Sequence, residues 1–147
     1  MSQPPAAVRE EYFRGDRAEG VTPPDLSKDC TFSEHVVRAR GKRTRFTSVS
    51  KDHAKIRDLG DTVYQVRRDP LSSEGHGLVE HEALVKELRR VAREGSRGER
   101  ARANQALRYA TRRLEGLVDW RFNVSAVEQK DLINWAYRHI QPYFQRL

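Results

Sequence analysis

Hydrophobic and polar residues alternate in two short segments of the first half of the chain, and this pattern predicts β-strands. The segments Phe46 to Ser50 and Thr62 to Val66 are both rich in residues that favour strands. An earlier strand is expected to end at Tyr12-Phe13, because Arg14-Gly15-Asp16 offers turn-forming residues directly after it. Together these segments predict a small sheet.

The second half of the chain shows helical spacing of its apolar residues instead. Apolar positions recur every three or four residues from Leu84 to Ala92, which predicts a helix that ends at Gly95. A second helix is predicted from about Gly98 to Leu117. A third is expected to begin at the capping box Ser125 to Glu128 and to continue until Pro142 disturbs it.

Three shorter segments complete the expected order of elements. Ser33 to Ala39 is predicted to form a short helix. Ser50 is placed to cap a further helix over residues 51–59, which Gly60 would end. The stretch from Asp69 to Gly77 holds two glycines, a proline and two serines, so turn chemistry predicts a loop there.

The predicted fold class is α+β, with a small mixed sheet in the first half followed by three basic amphipathic helices. Residues 1–9 hold two prolines and no periodicity, which predicts a flexible N-terminal arm. Residues 10–147 are expected to form a single domain, with an α/β part over 10–82 and a helical part over 83–147. A chain of 147 residues buries roughly 68–70% of its unfolded surface, so it can build a full core.

The charge balance adds an anionic partner to this picture. Charged residues make up 33% of the chain, and 28 Lys and Arg against 21 Asp and Glu leave a net charge of +7. Most of the cations are arginines, whose rigid fork pairs with phosphates and carboxylates. An acidic or nucleic-acid target therefore fits the composition.

Cysteine usage and the N-terminal sequence bear on the compartment. Cys30 is the single cysteine, and the first residues contain no apolar core of signal-peptide length. A cytoplasmic protein, or one exported without a conventional signal peptide, is expected. No run of about 18 uncharged apolar residues exists, so no membrane partner is expected.

Few motifs of familiar chemistry are present. The chain has no phosphate-binding glycine loop, no dinucleotide-binding glycine triplet, no Cys/His cluster at zinc spacing and no Gly-x-Ser-x-Gly elbow, and no metal is expected. What remains is an ordered trio. Arg14 ends the first strand, Ser48-Val49-Ser50 lies in the next, and Glu80-His81-Glu82 follows a glycine-rich loop.

This trio resembles the motifs of the ADP-ribosyltransferase fold family. The arginine class of that family carries an Arg at the end of its first strand, a Ser-x-Ser strand and a Glu-x-Glu near the acceptor. The resemblance covers roughly Tyr12 to Glu82 and implies an ADP-ribosyltransferase-like sheet. It also implies an NAD-dependent mono-ADP-ribosyltransferase, a toxin or effector that uses NAD as its substrate to modify a protein or nucleic-acid target.

The resemblance implies a role for each residue of the trio. Glu82 would stabilise the oxocarbenium-like state that forms when the bond between nicotinamide and ribose breaks. Glu80 would accept a proton from an arginine-like acceptor. Ser48 would hold the nicotinamide ribose or orient the glutamate, and Arg14 would pair with a phosphate of NAD. Ser50 and Tyr64 complete the expected NAD-binding residues, Tyr64 by stacking on a ring.

The same residues also have purely structural explanations. Ser50 lies in an alternating segment of the kind found in a half-buried strand, and it is placed to cap a helix. Glu80 and Glu82 stand at the start of the long helix, where the helix dipole favours acidic residues. On that interpretation the chain is a basic nucleic-acid-binding or protein-interaction module without catalysis.

The distribution of cations supports that alternative equally well. From His81 to Arg113 the chain holds ten Lys and Arg against four Asp and Glu, so some of these cations must form a basic face. Such a face is either a solvated surface or one that follows a phosphate backbone. The expected target- or phosphate-binding residues are Arg40, Lys42, Arg43, Arg97, Arg100, Arg108 and Arg112.

Overall fold

The computed structural model describes residues 10–39, 41–53 and 60–147. In its first half the elements are β1 (Phe13–Asp16), α1 (Phe32–Val37), β2 (Phe46–Ser50), β3 (Thr62–Val66), α2 (Arg68–Ser73) and β4 (Gly77–Val79). The second half adds α3 (His81–Glu94), α4 (Arg97–Arg113), β5 (Glu115–Asp119), α5 (Leu132–Ile140) and β6 (Phe144–Arg146). Short 3₁₀ turns precede and follow α5.

The strands form one six-stranded antiparallel sheet in the order β4-β5-β2-β1-β3-β6. Strands β2 and β5 pair along their whole length, from Phe46 opposite Asp119 to Ser50 opposite Glu115. In contrast, β1 and β2 share only the pair Phe13 and Ser50. The sheet is therefore loosely joined at its centre, between β1 and β2.

Each face of the sheet has its own apolar core. Helices α1, α3 and α4 cover one face around Phe46, Leu88 and Leu117. The other face carries an aromatic cluster that includes Trp120 and Tyr12, and Ile140 of α5 packs into it. Because successive strand residues point to opposite faces, β2 and β5 contribute to both cores.

Several predicted elements are confirmed. The two strands Phe46–Ser50 and Thr62–Val66 have the predicted bounds, and the long helix α3 is followed by Gly95. The short helix predicted from Ser33 occurs as Phe32–Val37, with Thr31 and Glu34 forming its capping box. The mixed α/β character is also confirmed.

The division into a sheet half and a helical half is wrong, because β5 and β6 come from the second half and all strand pairs are antiparallel. The helix predicted from Gly98 to Leu117 ends at Arg113. Leu114 then takes a left-handed conformation with φ of 49°, and the chain continues as β5. Four consecutive residues of β5 are buried, so its apolar residues satisfy a helical pattern as readily as a strand pattern.

Three smaller predictions also need correction. The third helix begins at Leu132, because the Ser125 hydroxyl donates to Asn123 Oδ1 at 2.8 Å instead of capping a helix. Helix α2 occupies most of the expected loop from Asp69. The first strand does not end at Phe13 but continues to Asp16, so Arg14 lies within β1. The predicted arm over 1–9 and most of the predicted helix over 51–59 lie outside the described residues.

No helix in the described part of the chain is long and apolar enough to cross a membrane.

Gly116, in the middle of β5, tests how tightly the sheet packs. A Cβ at this position would lie 2.7 Å from Cε1 of Tyr12 and 2.9 Å from the carbonyl oxygen of Val79. We expect Gly116→Ala to lower the free energy of unfolding by about 1–3 kcal/mol in urea denaturation, because the buried Tyr12 ring must shift.

The matched control is Gly98→Ala in α4, where nothing lies within 4 Å of the added Cβ. Alanine favours a helix over glycine, so this variant should be at least as stable as the unmodified protein. Equal destabilisation by both substitutions would contradict the packing described for Gly116.

Candidate functional site

Arg14 lies at the loose junction between β1 and β2. Its Nη1 donates to the carbonyl oxygen of Ser48 at 3.0 Å, and its Nε donates to Asp16 Oδ2 at 3.1 Å. Asp16 also accepts from the backbone of Arg17 and from the backbone and hydroxyl of Thr22. Burial raises the pKa of Asp16, but the Arg14 charge and the Thr22 hydrogen bonds outweigh it and lower the pKa overall. Arg14 is thus held against β2 by an ionised aspartate.

Ser48 connects β2 to a buried glutamate on the neighbouring strand. Its hydroxyl donates to Glu115 Oε2 at 3.1 Å, and Glu115 is only 2% exposed. Burial raises the pKa of Glu115, although the Ser48 hydrogen bond and the charges of Arg38, Arg113 and Arg14 act in the opposite direction. Burial outweighs them, so the pKa of Glu115 is raised overall in a site shielded from water.

His35 reaches the same serine from helix α1. It is fully buried, its Nε2 lies 2.7 Å from Ser48 Oγ, and its Nδ1 bonds Thr44 Oγ1. Burial, together with the charges of Arg38 and Arg14, lowers the pKa of His35 to about 2. A neutral imidazole ring therefore supports the Ser48 hydroxyl.

Arg38 follows α1 directly and closes this group. Its Nη1 lies 3.0 Å from His35 Nε2 and donates to the His35 carbonyl oxygen at 2.5 Å, while its Nε donates to the Lys42 carbonyl oxygen at 3.0 Å. Burial lowers the pKa of Arg38. We call Arg14, His35, Arg38, Ser48 and Glu115 the central polar cluster.

The two glutamates expected from the sequence lie elsewhere. Glu82 is in the first turn of α3, its side chain is 66% exposed, and it accepts from Lys51 Nζ at 2.5 Å. Glu80 pairs with Arg68 at 2.5 Å. Within the described residues, no hydrogen bond or ion pair joins either glutamate to Arg14 or Ser48.

The other expected NAD-binding residues have structural contacts. Ser50 is 1% exposed, and its hydroxyl donates to the Arg113 carbonyl oxygen at 2.6 Å, which ties β2 to the end of α4. Tyr64 is buried in the aromatic core, and its hydroxyl donates to the Arg17 carbonyl oxygen at 2.6 Å. The expected Arg14 and Ser48, in contrast, both belong to the central polar cluster.

Sequence reasoning missed three members of the cluster. Glu115 was assigned to a helix, so its place beside Ser48 could not be foreseen. His35 stood among scattered histidines, and Arg38 among many arginines. The one available signal was Glu115 itself, since it is the only acidic residue within an otherwise apolar four-residue run that ends at Val118.

Most of the expected target-binding cations are exposed. Arg40 lies outside the described residues. The exposed ones are Lys42, Arg43, Arg97, Arg100, Arg108 and Arg112.

Two further features bear on ligands. Among residues 10–39, 41–53 and 60–147, no group of three or more His, Cys, Asp or Glu is placed to hold a metal ion. A groove of about 750 Å³ lies between α1, β4, α3 and α4, lined among others by Cys30, Phe32 and Val91. The central polar cluster does not line this groove.

Comparison with known proteins finds no match to this chain among protein families, curated proteins or solved structures.

His35 makes the stability of the protein depend on pH. The pKa of His35 falls from 6.5 to about 2 on folding. Below pH 6.5, therefore, the unfolded chain binds a proton on His35 and the folded protein does not. The stability that neutral His35 contributes is complete above pH 6.5 and is lost as the pH falls. The free energy of unfolding then decreases with a slope that approaches about 1.4 kcal/mol per pH unit. Chemical denaturation between pH 7 and 4 should show a shallower pH dependence for His35→Gln, and parallel curves would contradict a buried neutral ring.

Glu115 should act with the opposite sign. Because its pKa is raised on folding, the folded protein holds this proton more tightly, and stability falls as the pH rises from the unfolded value towards the folded one. Gln carries no such penalty. We expect Glu115→Gln to be more stable than the unmodified protein at pH 7, with the difference shrinking below pH 4.5 in urea denaturation. If Glu115→Gln instead loses stability relative to the unmodified protein as the pH rises from 4 to 7, the raised pKa of Glu115 is contradicted.

Proposed function

We propose that this chain is an NAD-dependent mono-ADP-ribosyltransferase in which Glu115, and not Glu82, supplies the carboxylate. One observation carries the proposal: Ser48 contacts both Arg14 and Glu115 through hydrogen bonds, of 3.0 Å from its carbonyl and 3.1 Å from its hydroxyl. These are the three residue types that the resemblance requires. They come from three adjacent strands, in the order β1, β2 and β5 along the chain.

The contacts of these residues suit the roles that the resemblance implies. Arg14 keeps donors beyond its bonds to Asp16 and Ser48, and a guanidinium can pair with a phosphate of NAD. Ser48 donates to the carboxyl group of Glu115 and orients it, one of the two roles that the resemblance gives to this serine. Glu115 opposes the positive charge that develops on the ribose as nicotinamide leaves.

Burial strengthens the part played by Glu115. A carboxylate acts on a developing positive charge far more strongly in a site that excludes water than at the surface. The charges of Arg38, Arg113 and Arg14 favour the ionised form that this role needs, although burial outweighs them and raises the pKa of Glu115 overall. Since Glu115 is 2% exposed, NAD binding must also rearrange the groups that cover the carboxylate.

A module that binds an acidic or nucleic-acid partner without catalysis is the second candidate. The exposed arginines of α4 favour it, because the ion pairs formed by the described residues do not involve Arg97, Arg100 or Arg108. NAD turnover separates the two candidates.

The test is release of nicotinamide from NAD by micromolar protein, followed by chromatography. We expect the unmodified protein to consume NAD and Glu115→Gln to be slower by about 10²–10³-fold, the loss typical when one charge-stabilising group is removed. Glu82→Gln distinguishes the two glutamates and should remain active.

Glu128→Gln is the matched control, since Glu128 is exposed and pairs only with Lys130 among the ion pairs described. Intact NAD after prolonged incubation with the unmodified protein would refute the transferase. Loss of turnover in Glu82→Gln with normal turnover in Glu115→Gln would return the role to Glu82.

A further inference from the structure

Arg38 is a half-buried cation that bonds only neutral acceptors among the described residues. Its Nε donates to the Lys42 carbonyl oxygen at 3.0 Å, and its Nη1 bonds the carbonyl oxygen and Nε2 of His35 at 2.5 and 3.0 Å. It forms no ion pair in that part of the chain. Charged side chains withdrawn from water are usually paired with an opposite charge. The guanidinium of Arg38 has no such counter-charge there.

Positive charge exceeds negative charge around Glu115. The charges of Arg38, Arg113 and Arg14 all act on its carboxyl group, and none of the three forms an ion pair with it. Arg14 is paired with Asp16 at 3.1 Å. Even when Asp16 and Glu115 are both ionised, two carboxylates face three guanidinium groups. Among the described residues, at least one positive charge is therefore left without a counter-charge.

Hydration compensates only part of this surplus. Arg113 is exposed, so its guanidinium can remain in contact with water, whereas Arg38 is half-buried. For stability alone, a neutral side chain at position 38 would avoid the cost of withdrawing a charge from water. The arrangement therefore points to an anion that binds from outside the chain.

Arg14 and Arg38 reach the same serine from different elements. Arg14, on β1, donates to the Ser48 carbonyl oxygen at 3.0 Å. Arg38 follows α1 and lies 3.0 Å from His35 Nε2, which in turn is 2.7 Å from the Ser48 hydroxyl oxygen. Neither Nη2 donates to a described residue, so both guanidinium groups keep free donors. Ser48 and both arginines are partly exposed, which makes these donors accessible from solvent.

Two neighbouring guanidinium groups favour a ligand with two linked anionic groups. Each guanidinium presents a planar fork that pairs with the oxygens of one phosphate. A diphosphate carries its two phosphates on one bridging oxygen, so each fork can pair with a phosphate of its own. Successive phosphates of a nucleic-acid strand are instead separated by a sugar and belong to a long backbone, which a half-buried pair of arginines accommodates poorly.

We propose that Arg14 and Arg38 together bind a diphosphate group, with one phosphate at each guanidinium. Arg38 then complements the phosphate contact that the resemblance implies for Arg14. Its bonds to Lys42 and His35 hold it in position before the ligand arrives, so little side-chain freedom is lost on binding. NAD, a nucleoside diphosphate and inorganic pyrophosphate share this chemistry, and taking NAD as the source rests on the proposed function.

The test is isothermal titration calorimetry at constant pH and ionic strength, with inorganic pyrophosphate, ADP, AMP and adenosine as ligands. We expect pyrophosphate and ADP to bind, AMP to bind more weakly and adenosine not to bind. Arg38→Gln should weaken the binding of pyrophosphate and ADP by about 10–100-fold, the loss expected when a charged hydrogen-bonding group is removed.

A second variant and a matched control accompany this measurement. Arg38→Lys keeps the charge but loses the planar fork, so its affinity for pyrophosphate should lie between those of the unmodified protein and Arg38→Gln. Arg138→Gln removes the same charge from an exposed position on α5, which packs on the opposite face of the sheet from α1, and it should bind as the unmodified protein does. If urea denaturation shows that Arg38→Gln is unfolded, the comparison of Arg38→Lys with Arg138→Gln decides.

Three results would overturn the diphosphate site. The first is the absence of pyrophosphate binding, and the second is AMP binding as tightly as ADP. The third is an equal effect of the Arg38 and Arg138 substitutions, because anions would then bind the basic surface as a whole.

The diphosphate site and the transferase fail in different ways. NAD consumption by the unmodified protein, with pyrophosphate affinity unchanged in Arg38→Gln, would overturn the diphosphate site and leave the transferase standing. Pyrophosphate and ADP binding that depends on Arg38, without NAD consumption, would overturn the transferase and assign the site to a nucleoside diphosphate or free pyrophosphate.

Discussion

The pairing of β2 with β5 is the constraint on which the rest of the candidate site depends. Five residues of each strand lie in register, and this register brings the Ser48 hydroxyl to the carboxylate of Glu115 at 3.1 Å. On the other side of β2, a single register pair joins it to β1, which leaves the Ser48 carbonyl oxygen to accept from Arg14. Strand β2 is therefore hydrogen-bonded to an arginine of β1 on one side and to a glutamate of β5 on the other.

The central polar cluster is costly to bury, and its composition shows how the cost is limited. His35 is kept neutral by burial, and burial also raises the pKa of Glu115, so both groups are shifted towards their uncharged forms. Every buried side-chain nitrogen and oxygen among the described residues has a hydrogen-bond partner. A fully satisfied network of this kind holds its groups in fixed positions.

Local patterns predicted the elements that have one more buried and one more exposed side. Strand β3 alternates between buried and half-buried residues, and α3 has one apolar face, so periodicity located both. Strand β5 lies between β2 and β4 and is buried on both faces, which removes the alternation that marks a strand. Leu114 and Leu117 then fitted the spacing of the preceding helix, and the strand was missed.

The sequence by itself determined the strongly basic, mixed α/β character of this protein. Those features depend on composition and on residues within a few positions of one another. Only the tertiary structure decided which glutamate joins Arg14 and Ser48, since Ser48 and Glu115 are 67 residues apart in the chain. That choice depends on which strands become neighbours, and strand neighbours are selected by the burial of both sheet faces and not by any local pattern.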